Sequence, residues 1–195
     1  MANANRPAGL IPYRHMAGGI PMRLGAYSIV SGQTGALFQG DPVMLRGAGG
    51  VGREIIISPV TAAITSLVLG PFVGVQYTAV DGSIVYSNQW VSATVMKTGT
   101  TGIAYVYDDP DMLYIIQTST LATADIGAGA QLVIGTGNTQ TGISGCTLGA
   151  AAAPGINQMQ ILELLNSPDN EFGANAKAVV RIITQQYRSL TGTTN

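Results

Sequence analysis

No stretch of this chain sustains apolar residues at i, i+3, i+4 and i+7 as a long amphipathic helix requires, and that absence leaves an all-β fold as the architecture to expect. From Ala26 onward the chain is instead a succession of short β-like runs broken by turn residues. Candidate strands are Tyr27–Val30, Pro42–Leu45, Glu54–Ser58, Phe72–Thr78, Ser83–Tyr86, Ile103–Tyr107, Leu113–Gln117, Leu132–Ile134, Met159–Leu165 and Ala178–Ile183. In Phe72–Thr78 strict alternation sets Val73, Val75 and Tyr77 on one face and Phe72, Gly74, Gln76 and Thr78 on the other. Asp81-Gly82 follows it and predicts a hairpin into Ser83–Tyr86, because glycine accepts a positive φ. Met159–Leu165 is apolar on both faces apart from Gln160 and Glu163, which predicts a strand in the middle of a sheet or beneath a partner.

Helix is confined to one candidate turn, Ala122–Ile126, capped by Thr120 or Thr123 and stopped by Gly127 and Gly129. The Gly/Thr-rich text of about 135–155 predicts a rim loop or loose hairpin. No repeat of fixed period occurs. The expected fold is therefore a β-barrel or β-sandwich, tulip-like, spanning 25–190 with little helix and ending in a flexible tail at 191–195.

Residues 1–24 read differently. Pro7, Pro12 and Pro21 stiffen them, Gly9, Gly18 and Gly19 interrupt them, and neither strand nor helix period shows. The reading is an extended arm with a reach of about 80 Å when fully drawn out. Leu10, Ile11, Tyr13, Met16 and Ile20 are apolar anchors that a disordered linker lacks. Such an arm grips a neighbour, and a structure with the leader tucked against its own subunit would break that reading.

Composition narrows function. Charged residues make up 10% of the 195, against about a quarter in an average soluble domain. A surface so poor in charge suits a protein covered by other protein. Mean hydropathy is +0.29, yet the most apolar stretch, Ile64 to Val75, is broken by Thr65, Ser66, Gly70, Pro71 and Gly74 and falls short of the ~20 residues of a membrane span. No apolar core of a signal peptide precedes Pro12, so the expectation is a protein that stays in the cytoplasm where it is made. Arg6, Arg14 and Arg23 are the only charged side chains before Asp41, a basic leader too sparse for a phosphate-binding patch, and no nucleic-acid partner is expected.

The chemical motifs each have a plainer reading. Gly47-Ala48-Gly49-Gly50-Val51-Gly52 satisfies G-x-G-x-x-G, but its exit, Arg53 to Pro59, is β-branched, and no acid lies between Glu54 and Asp81; a loop between strands fits better than a dinucleotide cradle. Asp108-Asp109-Pro110-Asp111 reads as a solvated hairpin turn between Ile103–Tyr107 and Leu113–Gln117 rather than a cation site. His15, the sole imidazole, sits in the arm without a scaffold to hold it as a catalytic base. Cys146, the sole cysteine, reads as small-residue filler. Trp90 and Tyr77, Tyr86, Tyr105, Tyr107 and Tyr114 lie on strand text and read as core or interface. No catalytic residue, cofactor or metal is expected, and the protein is read as not an enzyme.

Five fragments belong together: Arg6-Pro7-x-Gly9-x-x-Pro12-x-Arg14 with Gly18-Gly19; Ser31-Gly32 leading to Leu37-Phe38-x-Gly40-Asp41-Pro42-Val43; Phe72-Val73-Gly74-Val75-Gln76-Tyr77 with Trp90; Tyr107-Asp108-Asp109-Pro110; and Asn170-x-Phe172-Gly173 before Ala176-Lys177. In these the chain resembles the capsid decoration, or cement, proteins of tailed bacteriophages of the marine and cyanobacterial type. The resemblance implies a virion protein on the outer surface of the icosahedral head, a homo-oligomer, in trimers at three-fold positions, bridging major capsid subunits and acting on neither membrane nor nucleic acid. It implies capsid contacts by Arg6, Pro7, Leu10, Ile11, Tyr13 and Arg14, the arginines meeting acidic residues and the apolar side chains filling grooves. A fibre, neck or tail component is the alternative, and a nucleotide-binding enzyme built on Gly47–Gly52 a more distant one.

Overall fold

The computed structural model describes residues 3–19, 24–46, 54–57, 67–151 and 157–188, so the Gly47–Gly52 motif, Arg23, part of the rim loop and the 191–195 tail lie outside the described residues. The strands are β1 (Ile11–His15), β2 (Gly25–Ile29), β3 (Leu37–Phe38), β4 (Pro42–Arg46), β5 (Glu54–Ile57), β6 (Gly70–Thr78), β7 (Ile84–Ser87) and β8 (Gln89–Trp90). They continue with β9 (Gly102–Val106), β10 (Met112–Gln117), β11 (Thr120–Leu121), β12 (Gly129–Val133), β13 (Thr147–Ala151), β14 (Met159–Leu164), β15 (Gly173–Ala174) and β16 (Lys177–Ile182). The fold is all-β, and its only helical turn among the described residues is a 3-10 turn at Thr123–Asp125. That turn is fastened not by a threonine but by Asp125, whose carboxylate accepts the Ala122 N–H at 2.7 Å.

Two barrel-like bodies share the chain. In the first, strands run β4-β5-β2-β9-β6, and β6 returns to β4 through Pro42↔Pro71 and Val43↔Gly70, with β7 continuing from the far end of β6. In the second, the order is β1-β10-β16-β14-β12-β13, antiparallel throughout, curling until Leu148 of β13 bridges Thr118 just beyond β10. Each body has its own core. Tyr27, Ile29, Phe72, Val75, Trp90 and Val106 fill the first; Leu10, Tyr114, Ile116, Leu148, Ile161 and Val180 are among those that fill the second. The expected central strand, now β14, lies between β16 and β12.

Three expectations need correction. The leader is not a free arm. Ile11↔Ile115 and His15↔Met112 place β1 on the edge of the second body, and Leu10, 1% exposed, belongs to its core. Of the apolar anchors seen in the sequence, Leu10 is buried in its own subunit, Ile11, Tyr13 and Met16 stay exposed, and Ile20 lies outside the described residues.

Nor do Asp108–Asp111 form a hairpin turn. Strand β9 pairs in the first body and β10 in the second, so the acidic segment is the crossover between them. Asp108 is buried there and accepts a hydrogen bond from the Tyr27 hydroxyl. Alternation in β6 also fails at one point. A bulge between Phe72 and Gly74 turns Phe72 inward on the same side as Val75, and both are buried.

Candidate interaction surface

The N-terminal segment crosses the first body at a junction of close backbone contacts. Leu10 N–H donates to Gly40 O at 2.9 Å and Gly9 N–H to Cys146 O at 3.2 Å. Gly9 (φ +68°) and Gly40 (φ +95°) meet there, and a Cβ on Gly9 would stand 2.3 Å from Gly40 O. Only glycine permits both the backbone angle and the approach.

Asp41 organises this junction. Its buried carboxylate accepts the Phe38 N–H at 2.9 Å and the Ser144 hydroxyl at 2.5 Å, while Ser144 Oγ accepts the Cys146 N–H at 2.9 Å. Burial pushes the Asp41 carboxyl above the usual range, against the opposing pull of those two hydrogen bonds. The rim loop completes the contact: Ser144 N–H donates to Gln39 O, and the Asn88 and Gln89 amides donate to Thr141 O and Thr139 O. Residues 138–146 therefore dock on the first body instead of projecting as a loose rim, and β13 resumes the sheet. Cys146 is filler, as its setting suggested: it is buried in the core and its thiol is pushed up by desolvation.

Beside the junction lies a cavity of about 230 Å³, lined chiefly by Leu10, Ile11, Pro12, Phe72, Val73 and Ile143. A dry apolar cavity smaller than this, about 150 Å³, accepts a benzene ring. Ile11 is 44% and Tyr13 39% exposed, and Met16 and Ile143 are exposed as well. This combination has the size and apolar lining to hold an inserted apolar side chain.

The residues expected to bind a partner are thus split. Leu10 is spent on the core; Arg6, Pro7, Ile11, Tyr13 and Arg14 remain exposed. Arg14 lies over the Tyr13 ring at 5.3 Å and pairs with Glu163 at 2.8 Å. For Arg6 no carboxylate lies within ion-pair distance among the described residues, while its N–H donates to Gln117 Oε1 at 2.7 Å.

His15 is held after all. Its Nε2 stands 3.5 Å from Asp109 Oδ2, and Asp111, with a carboxylate oxygen within 4.8 Å, already pairs with Arg188. With a guanidinium on one carboxylate, the group is a polar clasp joining β1, the crossover and the C-terminal segment. Sequence spacing hid it, since its members stand at 15, 109, 111 and 188. Gln185 was missed for the same reason: buried, it donates to Leu69 O and Asp108 O at 3.2 Å each and accepts the Tyr187 N–H at 2.6 Å.

Fold and surface define an all-β protein of two barrel-like bodies with an apolar surface cavity beside the N-terminal strand. No family model, curated protein or solved structure matches the chain.

Proposed function

We propose that this chain is a structural protein of a tailed-phage virion, bound to the outside of the head and bridging major capsid subunits. One observation carries the reading most: an open apolar cavity of about 230 Å³ ringed by exposed Ile11 and Ile143, on a chain with only 10% charged residues. A surface of that kind suits permanent contact with other protein. The binding mode differs from a clamp drawn across subunit joints. The leader is already ordered on its own body, so a folded face docks, and little chain entropy is lost on binding.

Heads lacking the protein test this directly. Purified wild type should cosediment with them and raise the temperature at which they open, by linkage. Ile11→Glu with Tyr13→Glu, both at exposed positions, should fold normally and lose binding. Labelled protein found only at the tail would favour a fibre, neck or tail part; equal binding by the double variant would exclude this face.

A further inference from the structure

Among the described residues β1 and β7 are end strands of the two six-stranded sheets, and only β1 is guarded. Edge strands expose unpaired N–H and C=O groups, and proteins protect them with proline, charge or bulges. At β1 all three occur: Pro12, Arg14 and His15 lie in the strand, and the pairing with β10 shifts register between Pro12 and Arg14. At β7, Ile84-Val85-Tyr86-Ser87, none occurs. No proline lies between Pro71 and Pro110, and the only charges between Glu54 and Asp108 are Asp81 and Lys97. Among the described residues β7 pairs with β6 alone.

The direction of its free groups follows from register. Ala79 N–H donates to Ser83 O at 2.8 Å, so the hydrogen-bonded positions run Ala79/Ser83, Tyr77/Val85 and Val75/Ser87. Ile84 and Tyr86 therefore turn their backbone N–H and C=O groups away from β6. Their side chains are 61% and 71% exposed. Both stand on the outer face, in rows with Thr78 and with Gln76 and Ile103.

We propose that β7 pairs with β7 of a second copy of this chain, antiparallel, about a two-fold axis through Val85. That register sets Ile84 opposite the partner's Tyr86 and Tyr86 opposite the partner's Ile84. Every outward backbone group of the two residues finds a partner, giving four hydrogen bonds. On the outer face the four side chains form one apolar cluster, and no charge or proline falls anywhere in the paired segment. A second copy is favoured over an unrelated strand because the segment is complementary to itself under two-fold rotation, the relation that isologous interfaces require. Exposed Val80, in the turn into β7, and Val95, beside the residue that bridges Ala79, extend the apolar margin at that end of the first body.

Solution mass decides the matter, independently of any head binding. Wild type should have twice the 20.1 kDa of one chain. Ile84→Lys with Tyr86→Lys sets like charges opposite each other twice and should return the mass of one chain, with the far-ultraviolet circular dichroism of the folded wild type. Ile84→Lys with Tyr86→Glu sets Lys opposite Glu twice and should restore the pair. A wild type of single-chain or three-chain mass would overturn the proposal, and so would a Lys/Lys variant that keeps the doubled mass or a Lys/Glu variant that stays single.

Discussion

The body that carries β1 holds most of the charge, and the body that carries β7 holds little. Arg14–Glu163, His15–Asp109 and Arg188–Asp111 decorate the first of these, while around β6, β7 and β9 only Asp81 and Lys97 interrupt an uncharged wall. The difference teaches where each can meet other protein. Proline, charge and a bulge guard the edge at β1, beside the cavity that the proposed head contact uses; at β7 the backbone edge is open.

The largest effect that sharpens this contrast is removal of residues 1–16. It strips β1 from β10 and takes Leu10 from the core, so the variant should lose cooperative unfolding and bind a hydrophobic dye. A stable fold without those residues would return the leader to the status of an arm. Next, Trp90→Ala should cost about 3–5 kcal/mol by cavity formation in the other core, read from denaturant midpoints at constant slope. Trp90 is buried, donates to Gln33 O at 3.1 Å and meets the Tyr77 ring edge-on at 5.5 Å. Leu10→Ala should cost about 2–5 kcal/mol in the same assay. Because Asp41, Gln185 and the Tyr27–Asp108 contact tie the bodies together, both variants should unfold in one transition; two separate transitions would show the bodies to be independent.

A smaller effect concerns pH. Asp41 is raised above its ordinary value in the folded state, so the folded protein holds that proton more tightly than the unfolded chain. Its contribution is fully present below the unfolded carboxylate range and is lost as pH rises through the folded value. Asp41→Asn should therefore gain on wild type as pH rises from mildly acid to neutral, and a gap that widens in the opposite direction would contradict the assignment. The smallest effect is Arg14→Ala. Its pair with Glu163 is about half exposed, and the loss should stay within about 1 kcal/mol.

Strand text was legible where the chain alternates or runs apolar between turn residues, as in β6, β10, β14 and β16. The Asp81-Gly82 turn was equally plain: Gly82 has φ +90°, and Asp81 accepts the Ser83 N–H at 2.9 Å. What stayed hidden was β1, because Pro12 and a bulge erase its period, and β13, whose Thr147–Ala151 text is small and glycine-containing. The fragments that carry the resemblance were visible only as separate pieces. In space Gly9 lies against Gly40, and Phe72 N–H donates to Asp41 O at 2.8 Å, so three of the five meet at one junction. Neither side-chain volume nor local period encodes such a crossing; it depends on long-range backbone contacts.

Imaging of tailed-phage heads incubated with this protein, at a resolution that traces side chains, tests the proposed head binding most directly. The expected result is density on the outer shell with Ile11, Tyr13 and the mouth of the cavity against capsid subunits. Copies confined to the tail, or seated on the shell with that face turned to solvent, would contradict it.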